Sequence, residues 1–278
     1  MWPTLEQELQ IARSIQSAMI PQALPAVEGL EMAALHLPCG LVGGDLYDVV
    51  QVSEDLLAFV MFDVSGHGVS AALIASMAKI SFNNHIRSVR SPRSVIERVN
   101  IEMIRNLSTD YFLTAFVAFL DLHNNKLTYC NAGHPYPILY HATECAGVAL
   151  TTPGLFIGIF ENGLYEERSV YLTPGDWLMI FSDGIYGLFS GKNEKVQRDE
   201  LEKEIIPRLE AMTPGSLLDS FGSRYHRALE RYGRVEDDIS LIAVEILTQS
   251  RRNRIKEELG FRGDDPVYIQ YITYFEEM

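Results

Sequence analysis

Four aspartates in this sequence stand where apolar segments begin or end. Three of those segments have the length and composition of buried strands, and the fourth aspartate follows a pair of glycines. The four are Asp45, Asp63, Asp183 and Asp237. A single aspartate at such a position is commonly a cap or a turn residue, so four unrelated caps and turns are one interpretation. If the four side chains instead converge, their negative charge needs a counter-charge.

Converging carboxylates would offer hard oxygen ligands, which suit Mg²⁺ or Mn²⁺, whereas a zinc site would favour Cys and His. Two such ions about 3.5–4 Å apart, bridged by one carboxylate, can activate a water and hold a phosphate for in-line attack. Nucleophilic catalysis by a side chain has less support, because Ser65 lacks the Gly-x-Ser-x-Gly surroundings of a hydrolase. His67 and His134 lie in glycine-containing loops, where an imidazole can simply satisfy backbone groups.

Residues 66–71, Gly-His-Gly-Val-Ser-Ala, match the Gly-x-Gly-x-x-Ala pattern of dinucleotide-binding folds. The pattern begins beyond Asp63, which already ends the preceding apolar segment. The acidic residue expected about 20 residues later is missing, since residues 86–90 contain none. A second helix follows where a parallel strand would be needed. These features count against a dinucleotide site.

Composition bounds the class of protein. The chain has 278 residues, 47% hydrophobic and 22% charged, which is ordinary for a globular protein. Its net charge of -14 disfavours nucleic acid as a partner. The cysteines Cys39, Cys130 and Cys145 form no CxxC motif and indicate a reducing compartment. We see neither a signal peptide nor an apolar run long enough to span a membrane, so we expect a cytoplasmic protein without a membrane partner.

Apolar periodicity and turn signals predict the order of the elements. Helices are predicted at residues 4–19, 66–88, 92–107, 199–211 and 214–232. Strands are predicted at residues 30–38, 47–53, 56–62, 112–120, 127–131, 137–141, 165–172, 177–181 and 239–246. Pairs of helices therefore separate runs of strands, which predicts an α+β fold whose antiparallel sheets carry helix pairs on their outer faces.

The two ends of the chain differ in character from its middle. In the first helix an apolar face is predicted from the spacing of Leu5, Leu9, Ala12, Ile15 and Met19. Such a helix can pack on the core, or it can mediate a homodimer or bind a regulator. The tail from residue 249 carries a basic cluster, and its residues 267–275 are β-branched and aromatic.

Five motifs occur in order along the chain. They are VGGDLYD at residues 42–48, DVSGHG at 63–68, NAGH at 131–134, PGD at 174–176 with FSDG at 181–184, and DDIS at 237–240. Together they resemble the bacterial SpoIIE/RsbU branch of the metal-dependent serine/threonine protein phosphatases, the PPM or type 2C superfamily. The resemblance spans about residues 11–247. It implies an antiparallel β-sandwich flanked by helix pairs, in agreement with the predicted order of elements.

The resemblance also implies metal ligands. Asp45 would bind one ion, Asp63 would bridge both, and Val64 would offer its backbone carbonyl. Asp183 and Asp237 would complete the second site. All four aspartates would act in catalysis through the water that the metals activate.

Five further residues are implied to surround these ligands. Asp48, Asp238 and His67 would stand behind the ligands, and Gly44 and Gly66 would keep the backbone clear of the ions. His67 lies four residues after Asp63, whereas the eukaryotic pattern places its histidine two residues after, so the resemblance does not give it a general-acid role. No arginine near Asp45 is placed to clamp a phosphate, so we expect the metals and protein docking to hold the substrate.

These implications predict a phosphoprotein phosphatase that uses two Mn²⁺ or Mg²⁺ ions. Its expected substrate is a phosphorylated Ser or Thr of a regulatory protein, an anti-sigma-factor antagonist in a partner-switching circuit. The alternative is a catalytically silent phosphoprotein-binding module of the same fold. The expected organisation is a linker or regulatory helix at residues 1–22, a phosphatase domain at 23–248 and a C-terminal extension at 249–278.

Overall fold

The computed structural model describes residues 4–107, 111–189 and 194–259. Within these ranges the α-helices are α1 (Leu5–Met19), α2 (Val69–Ser88), α3 (Pro92–Asn106), α4 (Glu194–Ile205), α5 (Pro214–Tyr232) and α6 (Gln249–Leu259). The strands are β1 (Leu30–Leu37), β2 (Leu46–Ser53), β3 (Leu56–Val64), β4 (Leu113–Asp121), β5 (Lys126–Ala132), β6 (Ile138–His141), β7 (Ala146–Ala149), β8 (Glu167–Tyr171), β9 (Trp177–Phe181) and β10 (Ile239–Ile246).

The described strands form two five-stranded sheets. The first has the order β2-β3-β4-β5-β8 and the second the order β1-β10-β9-β6-β7. Neighbouring strands in both sheets run antiparallel. Helices α2 and α3 pack against the first sheet, and α5 packs against β1 and β10 of the second. The prediction of an antiparallel β-sandwich flanked by helix pairs is confirmed. The antiparallel β3–β4 pairing also differs from the parallel unit of a dinucleotide-binding fold.

Strand β10 shows how the layers share the core. Ile242 and Val244 belong to the core between the two sheets. The same cluster of buried residues includes side chains of α2 and α3, which cover the other face of the first sheet. Leu241 and Ala243 point to the opposite face and belong to the core beneath α4 and α5. Because both faces of the strand are covered, its sequence is apolar at nearly every position.

Local signals in the sequence explain where most helices begin and end. Thr4 and Gln7 form both bonds of a capping box at the start of α1. Ser91 caps α3, where its hydroxyl accepts from the Ser94 backbone N–H at 3.1 Å. Helix α5 ends at Gly233, whose φ of 76° is left-handed and suits glycine.

The structure corrects several predicted boundaries. Strand β3 continues through Val64, so Asp63 lies inside the strand opposite Thr114 rather than beyond its end. The helix predicted at residues 199–211 is α4 followed by a 3₁₀ helix at Ile206–Ala211, because Pro207 cannot donate the hydrogen bond of a continuing α-helix. Helix α2 begins three residues later than predicted, at Val69. The short strand β7 was not predicted.

Helix α6 attaches the start of the C-terminal extension to the second sheet. Arg251 Nη2 lies 3.3 Å from Glu245 Oε2 of β10 and 3.7 Å from Glu31 Oε2 of β1. The same Nη2 donates to the Met212 carbonyl at 3.0 Å, and Ile255 packs against Leu247. The predicted β-branched segment at 267–275 lies outside the described residues. The predicted division into three segments, at residues 1–22, 23–248 and 249–278, remains a prediction.

Candidate metal centre

The four predicted aspartates lie near one another at one end of the sandwich, because Asp63 is the second-last residue of β3 and the other three flank strands. Leu46 pairs with Phe62 between β2 and β3, so one step further along this ladder Asp45 faces Asp63. In the second sheet, Leu241 of β10 pairs with Phe181 of β9. Asp183 follows β9 and Asp237 precedes β10, so these two aspartates lie at the same edge of that sheet.

Burial differs among the four carboxylates. Asp45 is only 2% exposed, Asp63 is half-buried, and Asp183 and Asp237 are exposed. Burial, and then Asp63, raise the pKa of Asp45 well above its ordinary value. Burial, followed by Asp183 and Asp237, raises the pKa of Asp63 to about 8. Partial loss of solvent around the carboxyl group, followed by the charge of Asp183, raises the pKa of Asp237 to about 6, and the same loss of solvent raises the pKa of Asp183. The four side chains thus form a single electrostatically coupled cluster, the acidic cluster.

The donor set of the acidic cluster fits a hard divalent cation. Asp45 Oδ2 is buried and has no hydrogen-bond partner among the described residues. This oxygen, on the most buried residue of the cluster, is therefore available to bind a cation. Carboxylate oxygens are the ligands that Mg²⁺ and Mn²⁺ prefer. In the described part of the chain, no three acidic, His or Cys side chains converge closely enough to enclose an ion as they stand. The exposed carboxylates of Asp183 and Asp237 would therefore have to swing inward on binding.

Two glycines shape the backbone at the acidic cluster. A Cβ on Gly44 would lie 2.9 Å from the Val64 carbonyl oxygen and 3.5 Å from Asp63 Oδ1, so only glycine allows this close approach. Gly66 has a φ of 88°, which an L side chain rarely adopts, and this conformation carries the chain from β3 towards α2. Gly44 thus keeps the backbone clear beside Val64, and the role of Gly66 is conformational. The expectation that both glycines keep the backbone clear of metal ions remains a prediction.

Asp238 holds the loop that carries Asp45. Its carboxylate accepts from the backbone N–H groups of Cys39 at 2.7 Å, Gly44 at 2.8 Å and Asp45 at 3.4 Å. Because Asp238 directly precedes β10, these bonds tie a loop of the first sheet to the second sheet. This arrangement suits the supporting role predicted for Asp238.

Asp48 lies elsewhere. Its Oδ2 is 2.7 Å from Lys79 Nζ and accepts from Asn83 Nδ2 at 2.9 Å, and both partners belong to α2. The three-residue separation from Asp45 explains the placement, because residues an odd number apart point to opposite faces of a strand. The described contacts of Asp48 hold β2 to α2 and do not support the acidic cluster.

The two loop histidines have different surroundings. His67 is exposed, and it is close enough to Asp237 for its charge to lower the pKa of that carboxyl. His134 is buried, and burial lowers the pKa of its imidazole to about 3. Its Nδ1 lies 2.9 Å from the hydroxyl of Thr114, the residue that pairs with Asp63. A neutral imidazole there supports β4, the strand that pairs with the one that carries Asp63.

Gln16 of α1 is a site residue that the sequence analysis missed. Its side-chain amide donates to the Gly43 carbonyl at 2.7 Å and accepts from the Gly43 N–H at 2.9 Å. Helix α1 is therefore hydrogen-bonded to the loop that carries Asp45. Helical spacing places Gln16 on the side of α1 near Ala12 and Met19. Its contact with Gly43 joins residues 27 positions apart, so no local sequence pattern could predict it.

A family model described as Stage II sporulation protein E (SpoIIE) matches residues 53–247. Among curated proteins, the chain is 28% identical over 201 residues to the phosphoserine phosphatase RsbU of Bacillus subtilis, with 72% of this chain and 59% of that protein covered. It is 26% identical over 184 residues to the phosphoserine phosphatase RsbP of the same species, with 65% and 45% covered. The chain spans about half the length of the curated relatives it matches.

Solved structures share the fold. The RsbU and RsbW domains of a Mycobacterium tuberculosis protein match with a TM-score of 0.70 at 24% identity, over 87% of this chain and 71% of that one. The PP2C phosphatase domain of SpoIIE from Bacillus subtilis matches at 0.63 and 20%, over 80% and 64%. RsbX in complex with magnesium matches at 0.58 and 17%, over 81% and 98%. The α+β sandwich is therefore a PPM-type fold.

Proposed function

This chain belongs to the SpoIIE family, and on that premise we propose that it is a metal-dependent phosphoprotein phosphatase. The observation that carries the proposal is the electrostatic coupling of four carboxylates from two sheets near the buried Asp45, whose Oδ2 lacks a hydrogen-bond partner among the described residues. Such a cluster is unfavourable without cations, and its position at an exposed edge leaves it open to a protein-borne phosphate.

Each residue of the acidic cluster would have a separate task. Asp63, whose pKa responds to Asp183 and Asp237 and whose carboxylate lies beside Asp45, is placed to be shared between two ions. Asp45 would hold one of them, and Asp183 with Asp237 the other. When bound, Mn²⁺ or Mg²⁺ would lower the pKa of a coordinated water and neutralise charge on the phosphate.

The remaining residues would keep these ligands in place. The carbonyl of Val64, beside Gly44, would add a neutral oxygen ligand. Asp238 and Gln16 fix the backbone of the loop before Asp45 from two sides. The loop would hold the buried carboxylate of Asp45 in place, and the exposed carboxylates of Asp183 and Asp237 would turn towards the ions. The site would then bind its ions without refolding.

The proposed substrate is a phosphoserine or phosphothreonine on a regulatory protein, an anti-sigma-factor antagonist. Relatives named phosphoserine phosphatases support the group that is hydrolysed, and the exposed rim supports a protein-sized substrate. We place the reaction in the cytoplasm. The three cysteines are unpaired, as expected in a reducing compartment, and none of the described helices is long and apolar enough to cross a membrane.

We also propose that α1 meets another protein, either a second copy of this chain or a regulator. Leu5, Ile11 and Ile15 of α1 are 73%, 55% and 61% exposed. Next to α1, helix α2 exposes Leu73 and Ile80 at 64% and 58%. Exposed apolar side chains on two adjacent helices are typical of a protein-binding surface. Through Gln16, a partner on this surface could act on the Asp45 loop.

Hydrolysis of p-nitrophenyl phosphate tests the proposed activity. The full chain should release phosphate when Mn²⁺ or Mg²⁺ is added and stop when the ions are chelated. A synthetic phosphoserine peptide, assayed in parallel, separates catalysis from the silent binding module. A module of that kind would bind the peptide in the presence of Mn²⁺ but release no phosphate from either compound, and that result would overturn the proposal.

A further inference from the structure

A cleft of about 1290 Å³ opens beside the acidic cluster. Asp183 and Asp237 form part of its wall, so the cleft is continuous with the proposed metal centre. The rest of the wall comes from the 3₁₀ helix that follows Asp183, from α4 and from the C-terminal half of α5 with the segment after it. A space of this size is larger than a single phosphate needs and can hold several residues of a bound chain.

Four arginines line this cleft. Arg224, Arg227 and Arg231 follow one another on α5 at spacings of three and four, which puts them on one face of the helix. Arg234 comes just after the helix ends at Gly233. Outside the acidic cluster the cleft is lined by only two carboxylates of the described residues, Glu204 and Glu236, so its four arginines are in excess there although the chain has a net charge of -14.

The four arginines are not equivalent. Arg224 has structural partners, because its guanidinium pairs with Glu204 and lies 4.5 Å from the centre of the Phe189 ring. Arg227 donates only its Nε, to the Ser223 carbonyl on its own helix. Arg231 lies over the ring of Tyr232, an arrangement that leaves its edge open to ligands. All three of Arg227, Arg231 and Arg234 are exposed.

Glu204 is paired with Arg224, which leaves Glu236 as the carboxylate outside the acidic cluster that shares the cleft with Arg227, Arg231 and Arg234. Among the described residues, none of Arg227, Arg231 and Arg234 forms an ion pair with a carboxylate. Guanidinium groups bind carboxylates and phosphates through two parallel hydrogen bonds, so three of them on one wall form a site for acidic groups. A nucleic acid would meet the strongly negative remainder of the chain, whereas an acidic peptide segment needs only the cleft.

Resting on the proposed phosphatase function, we propose that Arg227, Arg231 and Arg234 bind acidic side chains that flank the phosphorylated residue of the substrate protein. The phosphate would lie at the acidic cluster while the flanking segment runs along the cleft. The arginines would then supply the substrate grip that is missing near Asp45. They would also repel basic segments, so that the enzyme discriminates among phosphoproteins by the charge next to the phosphate.

Peptide binding tests this inference directly. Two fluorescent peptides carry the same phosphonate analogue of phosphoserine, which cannot be hydrolysed; one has Asp and Glu flanks and the other Asn and Gln flanks. Fluorescence anisotropy with the full chain and Mn²⁺ at low ionic strength gives the ratio of their Kd values. Wild type should bind the acidic peptide about tenfold more tightly, as three exposed ion pairs allow, and added salt should reduce the ratio.

The triple variant Arg227→Gln, Arg231→Gln, Arg234→Gln should bring the ratio close to one. Each single substitution should lower it about twofold, so the result does not depend on the folding of the triple variant. A matched control, Arg90→Gln, Arg105→Gln, Arg254→Gln, removes the same charge from exposed positions outside the cleft and should keep the wild-type ratio.

Three results would overturn the inference: an unchanged ratio in the triple variant, an equal loss in the control, or a single-stranded RNA that outcompetes the acidic peptide for the same arginines. Failure of the proposed catalysis is seen separately, as absence of p-nitrophenyl phosphate turnover in wild type. The Kd ratio would in that case still decide whether the arginines bind acidic segments.

Discussion

Replacing Arg251 with methionine should destabilise the fold, and the loss should grow with pH. Arg251 is the cation beside two carboxylates that are almost fully buried, Glu31 at 1% and Glu245 at 5% exposure. Removing one partner of such a buried arrangement costs about 3–5 kcal/mol, because the remaining charge cannot regain its hydration. Methionine keeps the apolar contacts of the arginine stem, so the loss reports mainly on charge.

A proton can partly replace the arginine. Burial already raises the pKa of Glu245 to about 7 while Arg251 opposes that shift, so the variant's carboxyl should hold its proton to still higher pH. Over this window the folded variant binds more protons than the unfolded chain, so its stability falls as pH rises, by up to about 1.4 kcal/mol per pH unit for one group. Because the wild-type carboxyl releases its proton near pH 7 and that of the variant only at higher pH, we expect a larger loss at pH 8 than at pH 6.

Urea unfolding followed by circular dichroism at both pH values measures this effect. Arg254→Met is the matched control, since Arg254 is exposed on the same helix and its loss should change the unfolding free energy by less than about 0.5 kcal/mol. Adding Glu31→Gln and Glu245→Gln to the Arg251 variant should recover stability. A loss at pH 8 no larger than that of the control, or a loss independent of pH, would refute the reasoning. Truncation after Thr248 removes the same cation and should destabilise the chain in the same direction.

Three other predictions concern the metal centre and its neighbours. Gln16→Ala removes two hydrogen bonds to Gly43 and should raise the Mn²⁺ concentration needed for half-maximal p-nitrophenyl phosphate turnover several-fold; an unchanged Mn²⁺ titration would show that α1 does not hold the loop. Without metal, stability should fall between pH 6 and 8, because folded Asp63 keeps its proton to about 8 while the unfolded chain releases it near 3.8. Mn²⁺ should accordingly raise Tm more at pH 8 than at pH 6, and equal shifts would contradict this coupling. Ile15→Glu places a charge on an exposed apolar position of α1 and should lower the mass seen by light scattering or alter turnover; if both stay constant, α1 has no partner there.

Local chemistry made much of the fold predictable. The capping residues Thr4 and Ser91 act within one turn of their own helices, so the sequence around them contains the whole signal. The four aspartates could be proposed because each stands at or near the end of an apolar strand. Their convergence depends on strand pairing across two sheets, which no single segment encodes.

The parts that sequence reasoning missed depend on contacts between distant segments. Gln16 acts on the Asp45 loop from a position 27 residues away from Gly43 in the chain. For Asp48 a local signal existed, because the two-residue period of a strand separates it from Asp45. The arginines of α5 likewise showed their spacing of three and four, but only the packed fold places that helix beside Asp183.

The charge of Asp63 is the most direct test of the central claim. Asp63→Asn keeps the size of the side chain but removes the anion proposed to serve both ions, so phosphate release from p-nitrophenyl phosphate should fall by about 10²-fold or more, roughly 3 kcal/mol, at every Mn²⁺ concentration. Asp45→Asn, the matched control, affects one ion only, so part of its activity should return as Mn²⁺ is raised. Both variants should stay folded, since each relieves repulsion among buried carboxylates. Near-native, Mn²⁺-dependent turnover by a folded Asp63→Asn variant would contradict the two-ion account.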